Sequence, residues 1–251
     1  MTAHASYATH RGDRPSNEDA VLCAGVVQSD DAAGSISLEA QDAGSILLGV
    51  ADGMGGCGDG ATASRRVLEQ IAEARPQSEQ QWLEAVDSAH CSLQSLARFG
   101  NGSCPGTTLA ALLWDRAGLH CVNVGDSAVY RLNSGYLMQL STDDRSRRLS
   151  ACEQADWNGA MRNTLTQAIG GSRDKPPPRL HFRSLGALPA RHLLCTDGVT
   201  DTLGMQTIEE TLDLERSVTE AASRLRKQLL GRGSRDNFTF IVADTKPDMS
   251  A

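Results

Sequence analysis

Carboxylates stand at the edges of apolar runs at five separate places in this sequence. "ILLGVADGMGG" climbs through Ile46, Leu47, Leu48 and Val50 to Asp52 and then loses nearly all its side chains. "HCVNVGDS" ends on Asp126, and "HLLCTDGVTD" ends on Asp197 with Asp201 one helical turn beyond. Asp236 in "GRGSRDNFTF", and Glu18 with Asp19 in "RPSNEDAVLC", lie just ahead of such runs. Acidic groups gathered in one place repel each other strongly unless cations neutralise them. Hard oxygen donors with no histidine or thiolate among them select Mg²⁺ or Mn²⁺ over zinc. The main use of two such ions in a carboxylate cradle is to activate water against a phosphoryl group. Arg14, four residues before Glu18, supplies the planar fork that a phosphate needs. Glycines at 53, 55 and 56 let the main chain approach something small, an ion or a phosphate. Taken alone, the same stretch also reads as an ordinary Asp-Gly turn.

Scattered carboxylates converge only if the segments carrying them share one framework. Ile46 to Val50 reads as a short strand buried on both faces, where alternation disappears. "SYATHRG", "AVLCAGVV", "TTLAALLWD", "GLHCVNVGD", "AVYRLN", "YLMQLS", "RLHFRSL", "HLLCTD" and "NFTFIVAD" read as further strands. The short connections "DRAG" and "NSG" in the central group join antiparallel neighbours. Helical spacing of one apolar face appears at Val67, Leu68 and Ile71, at Trp82, Val86, Ala89, Leu93 and Leu96, and at Val218, Ala222, Leu225 and Leu229. Such helices beside antiparallel strands predict layers, sheet on sheet with helices outside.

The chain has 251 residues, 40% hydrophobic and 22% charged, which fits a globular fold with a substantial core. A net charge of −7 argues against a nucleic-acid partner, because phosphate backbones demand a basic surface. No apolar run approaches the roughly 20 residues of a membrane span, and "MTAHASYATHRGDRP" lacks the apolar core of a signal peptide, so the expected location is cytoplasmic. Seven cysteines without a CxxC pair read as small core residues of a reducing compartment. Cys57, in the glycine loop, reads as a spectator thiol or, alternatively, as a redox-sensitive one. Pro176, Pro177 and Pro178 read as a surface loop within one domain spanning residues 1–251.

Taken together and in order, "RPSNEDA", "VADGMGG", "GTTL", "VNVGDSAVYRL", "LTQAIGG", "LLCTDGVTD" and "SRDNFTFIV" resemble the metal-dependent PP2C-type (PPM) protein serine/threonine phosphatases, over about residues 6–244. The resemblance implies an α+β fold, a four-layer α-β-β-α sandwich with two central antiparallel sheets flanked by helices and a metal cleft at one end. It implies two core Mn²⁺ or Mg²⁺ ions bridged by Asp52. The Gly53 carbonyl and Glu18 or Asp19 would complete one coordination sphere, and Asp197 and Asp236 the other. Asp126 with Asp197 would hold a third, weaker ion, and Arg14 would bind the substrate phosphate. Asp201 is either a partner for metal-bound water or a helix cap. In the implied reaction a hydroxide bridging the ions attacks phosphoserine or phosphothreonine in line, with Arg14, Asp52 and Asp197 as the catalytic set.

The chain departs from the pattern at Met54, Cys57, Ala61, Ala128 and Arg145, none of which is a ligand position. The flap of the resemblance falls at residues 145–162, whose Arg145, Arg147 and Arg148 read either as a solvated loop or as a lure for acidic, phosphorylated segments. The expected partners are phosphorylated Ser/Thr proteins and a cognate Ser/Thr kinase, acted on by a monomer. A non-catalytic phosphoprotein-binding regulator of the same fold would have lost a metal carboxylate, and none is lost here. Other two-metal hydrolases mix histidine with aspartate, whereas the six histidines here stay outside every motif but the edge of the first.

Overall fold

The computed structural model describes residues 2–39, 44–55, 59–96, 104–146, 165–186 and 189–246. The chain opens with β1 (Thr2–His10), β2 (Asp19–Cys23), β3 (Val26–Gln28), β4 (Ala32–Glu39) and β5 (Ile46–Met54), then α1 (Asp59–Ala74) and α2 (Glu79–Ser95). There follow β6 (Gly106–Thr107), β7 (Leu109–Asp115), β8 (Gly118–Val124), β9 (Ala128–Asn133), β10 (Tyr136–Gln139), β11 (Ile169–Gly170), β12 (His181–Gly186) and β13 (Ala190–Cys195). Three helices, α3 (Asp197–Leu203), α4 (Met205–Thr211) and α5 (Val218–Arg232), precede the last strand, β14 (Phe238–Lys246).

Two antiparallel sheets result. One has six strands in the order β10-β9-β13-β14-β1-β4; the other has eight, with β11-β6-β5-β7-β8-β12 as its main path and β2 and β3 attached beside β5. Alternation lets one strand serve two cores. Val129 points inward to meet Leu48, Val50, Leu112, Leu194 and Ile241 between the sheets, while Tyr130 and Leu132 face the layer of α3, α4 and α5. On the other side Val67, Leu68, Ile71 and Trp82 of α1 and α2 pack on Ala51, Leu109, Leu113 and Val122. The layer order is helix, sheet, sheet, helix, as the amphipathic helices and the resemblance lead one to expect.

Local chemistry fixes the helix ends. The Ser78 hydroxyl accepts from the Gln81 N–H at the start of α2, and Ser217 with Glu220 forms a reciprocal capping box on α5. One sequence expectation changes: "AVLCAGVV" is not a single strand but the hairpin β2–β3, turned at Ala24 and Gly25 with φ of 56° and 74°. The strand β4, read as nothing in the sequence, covers the edge of β1.

Candidate metal centre

Strand pairing brings the first two carboxylates together. Asp19 lies directly opposite Asp52 where β2 pairs with β5, and like charges opposed across a ladder are destabilising on their own. Asp19 is 1% exposed. Its Oδ2 accepts a 2.8 Å hydrogen bond from the Thr196 hydroxyl, while Oδ1, equally buried, has no partner. A buried acceptor left over in this way costs free energy unless something positive meets it. Burial pushes the Asp19 carboxyl up to about 7, against the lowering effect of the Thr196 and Thr239 hydroxyls, with Asp197 and Asp236 adding to the rise.

Asp52 is pinned by its backbone. Its N–H donates to Thr108 Oγ1 at 2.9 Å, and its carbonyl accepts from the Thr107 hydroxyl at 2.8 Å and the Thr108 N–H at 2.9 Å. Thr108 in turn shares a 2.6 Å hydrogen bond with Ser127. The Asp52 carboxyl sits well above the usual carboxylate range, through burial first and then the charges of Asp19, Asp197, Asp126 and Asp236.

The next residue delivers a main-chain oxygen. The Gly53 N–H donates to the Glu18 carbonyl at 3.1 Å, which holds the end of β5 against the segment before β2. Across from it lies Gly60, near the start of α1. A Cβ on Gly60 would sit 2.8 Å from the Gly53 carbonyl oxygen and 2.8 Å from Glu18 Oε2. A carbonyl and a carboxylate therefore face one common point that the missing side chain keeps open. The Glu18 carboxyl is raised by burial, with Arg14 opposing the rise and Asp236 and Asp59 adding to it.

The far half comes from the other sheet. Asp197 opens α3 directly after β13, and its carboxyl rises to about 6, from burial first and then from Asp126, Asp201 and Asp236. Asn237 ties the ends together: its Oδ1 accepts from the Glu18 N–H at 2.9 Å, and its Nδ2 donates to the carbonyls of Arg11 and Ser16 at 2.8 and 2.9 Å. A Cβ on Gly198 would run into the Asn237 carbonyl, so glycine is what lets α3 lie against the start of β14. Asp236 receives the Arg14 guanidinium at 2.9 Å, both side chains being about half exposed at the mouth of the site.

The structure thus brings Asp19, Asp52, Asp126, Asp197 and Asp236 within electrostatic reach of one another, with Glu18 beside Asp236 and Arg14 at the rim. Among the described residues no three Asp, Glu, His or Cys side chains close on a single point. The convergence that is present joins a carboxylate to a main-chain oxygen. Asp201 lies inside α3, whose N-cap is Thr196, so it is no cap for that helix; its charge reaches Asp126 and Asp197. Cys57, Arg147, Arg148 and nearly all of the segment 145–162 lie outside the described residues. Gly60, Thr196 and Asn237 as supports of the centre, and Thr107 and Thr108 of "GTTL" as the residues that hold Asp52, emerge only from the fold.

The donor set is all oxygen, the orphaned Asp19 atom and the Gly60 cradle leave room for small cations, and five mutually repelling acids require them. A sequence model of the family described as protein phosphatase 2C matches residues 24–232. The chain belongs to the protein phosphatase 2C family. The matched span leaves out Glu18, Asp19 and Asp236, the acids that folding carries in from both ends of the chain.

Two curated relatives and one solved structure illustrate the family. The chain is 32% identical over 219 residues to the serine/threonine protein phosphatase PstP of Mycobacterium tuberculosis; that alignment spans 80% of this chain and 41% of PstP. It is 28% identical over 262 residues to the serine/threonine phosphatase stp of Listeria monocytogenes, covering 96% of this chain and 95% of that one. The crystal structure of the PstP catalytic domain in complex with two manganese ions matches with a TM-score of 0.73 at 27% identity, over 98% of this chain and 100% of that one. The fold is the PP2C fold, an α+β arrangement of two antiparallel sheets with helices. Among the described residues no helix is long and apolar enough to cross a membrane.

Proposed function

We propose that this chain is a Mn²⁺- or Mg²⁺-dependent protein serine/threonine phosphatase, releasing inorganic phosphate from phosphoserine and phosphothreonine. The observation that carries the reading is the point shared by the Gly53 carbonyl and the Glu18 carboxylate, at the edge of a buried cluster of acids that cannot all ionise without counter-charge. Glu18, Gly53 and Asp52 would hold one ion, and Asp52, Asp197 and Asp236 the other, with Asp19 opposite Asp52 across the β2–β5 ladder. When bound, such a pair supplies the Lewis-acid charge that water activation and phosphoryl transfer require. The protein's own share is positional. Thr107 and Thr108 fix the Asp52 main chain, Asn237 fixes the Glu18 main chain, and Arg14 offers a phosphate its planar fork. Arg14 is free to do so because its exposed pair with Asp236 is weakly held.

The substrates are then phosphorylated Ser/Thr proteins and the opposing enzyme is a Ser/Thr kinase, with the chain acting as a monomer in the cytoplasm. The naming of its relatives as serine/threonine phosphatases supports the substrate class. The protein should hydrolyse p-nitrophenyl phosphate and phosphothreonine peptides with Mn²⁺, and EDTA should abolish the activity. Turnover undiminished in excess chelator would refute the reading.

The centre should also couple metal to protons. The folded carboxyls of Asp19 and Asp197 are raised toward 7 and 6, so without metal they keep protons near pH 6 that they have lost by pH 8. Binding Mn²⁺ must displace those protons, and affinity therefore weakens as pH falls. Calorimetry in buffers of different ionisation enthalpy should show more proton release on Mn²⁺ binding at pH 6 than at pH 8, the difference coming from Asp19 and Asp197. No release at either pH would mean that these acids are already ionised in the metal-free protein.

A further inference from the structure

Among the described residues one basic side chain, Arg145, stands inside the acidic centre beside Asp126. After β10 the chain returns across the site and is clamped to the turn that carries Asp126. Asp144 Oδ2 accepts from the Gly125 N–H at 2.9 Å, and the Asp144 N–H donates back to the Gly125 carbonyl at 3.2 Å. Its other oxygen is held by Gln167 Nε2 and His181 Nε2, both at 2.9 Å. The residue that follows, Arg145, is thereby fixed beside Asp126.

The Arg145 side chain is itself held rigidly. Its Nε lies 3.1 and 3.2 Å from the two Asp143 oxygens, its Nη2 lies 3.1 Å from Oδ2, and its main-chain N–H donates to the same carboxylate at 3.0 Å. The same Nε is 4.0 Å from Asp126 Oδ2. The Arg145 side chain is 28% exposed and those of Asp126 and Asp143 only 11% and 12%, so water screens these charges poorly. Around the guanidinium stand Asp126, Asp143, Asp197 and Asp201, and it lowers the first and third of these against the burial that raises them. Among the described residues it is the cation of this corner of the centre.

We infer that Arg145 is a tethered counter-ion of the centre: its guanidinium occupies the place beside Asp126 that a further divalent cation would otherwise fill, so the protein binds two such ions and Asp126 anchors Arg145. The inference rests on the metal centre proposed above. A fixed positive charge 4.0 Å from Asp126 offsets part of that carboxylate's charge and repels any divalent ion approaching it. Asp143 keeps the charge in place by a fork that lysine would reproduce only as a point charge. Arg145 touches neither of the oxygens at the Gly60 cradle and is a positioning residue, not a catalytic one.

Calorimetric titration of the metal-free full chain with Mn²⁺ counts the ions directly, independent of turnover. The wild type should bind two, and Asp126→Asn should still bind two. Arg145→Gln should gain a third, weaker ion, which disappears again in Arg145→Gln with Asp126→Asn. Arg145→Lys, which keeps the charge, should return the count to two. A wild type that takes up three ions, or an Asp126→Asn variant that loses one, would overturn the inference, as would an unchanged count of two in Arg145→Gln. Each of those results leaves the two-ion phosphatase reading standing, whereas a wild type that binds no Mn²⁺ at all would overturn both.

Discussion

Replacing Asp52 by Asn should lower phosphatase turnover about a thousandfold or more and remove tight Mn²⁺ binding, while the protein stays folded. One neutral amide oxygen cannot serve two divalent cations as a carboxylate does. The main chain at this position is fixed by Thr107 and Thr108, so the variant side chain starts from the same place and the comparison isolates charge. The metal-free protein gives the opposite signal. Asp52 faces Asp19 across the β2–β5 ladder and feels Asp197, Asp126 and Asp236 as well, so neutralising it relieves repulsion. Its melting temperature without metal should equal or exceed that of the wild type, and the increase that Mn²⁺ gives the wild type should vanish. Near-normal turnover in Asp52→Asn would remove this residue from the centre.

The acids of this centre are legible in the sequence because each ends or precedes an apolar run, and a run of buried residues has nowhere to stop except at a sheet edge. That logic put the acids close to strand boundaries: Asp19 opens β2 with Glu18 just before it, Asp126, Asp197 and Asp236 lie just outside β8, β13 and β14, and Asp52 lies inside β5, which runs on to Met54. The two-sheet, helix-covered architecture followed from alternation and helical spacing for the same reason. What failed was short or irregular. β4, "AAGSISLE", is an edge strand of small and polar residues whose pattern carries little hydrophobic signal, and α3 and α4 span only seven residues each. The β2–β3 turn was hidden because Ala24, not only Gly25, takes the left-handed conformation.

The supporting contacts were illegible for a different reason. Thr196 reaches Asp19 across 177 residues of sequence, and Asn237 reaches Glu18 across 219. No local pattern distinguishes those side chains from any other threonine or asparagine. The two arginines show how much only geometry can say. Both were visible as basic residues near acidic motifs, yet Arg14 lies half exposed against a single carboxylate. Arg145 is held by a main-chain and three side-chain hydrogen bonds to Asp143 and cannot leave without breaking them. How firmly each arginine is held is set by partners that the sequence places two residues away in one case and over two hundred in the other.

Gly60→Ala should weaken Mn²⁺ binding at one of the two positions by about ten- to a hundredfold, yet leave the metal-free fold within about 1 kcal/mol of the wild type. The residue carries no functional group, so an effect on metal can come only from space. Its Cβ would stand 2.8 Å from both the Gly53 carbonyl oxygen and Glu18 Oε2, closer than a methyl group tolerates. Glu18 can swing aside because only its far end is touched, but the Gly53 oxygen belongs to a strand paired on both sides and cannot. The two oxygens would then no longer address one point. Against this stands a helix-propensity gain for alanine over glycine near the start of α1, which offsets part of the strain. Gly231→Ala, in α5 with nothing within 4 Å of its Cβ, supplies the matching control: it should gain stability and leave Mn²⁺ binding untouched. Isothermal titration with Mn²⁺ beside urea unfolding of both metal-free variants separates the two effects. Wild-type affinity in Gly60→Ala would show that the point between Glu18 and Gly53 is not where an ion sits, and the assignment of both residues as ligands would fall with it.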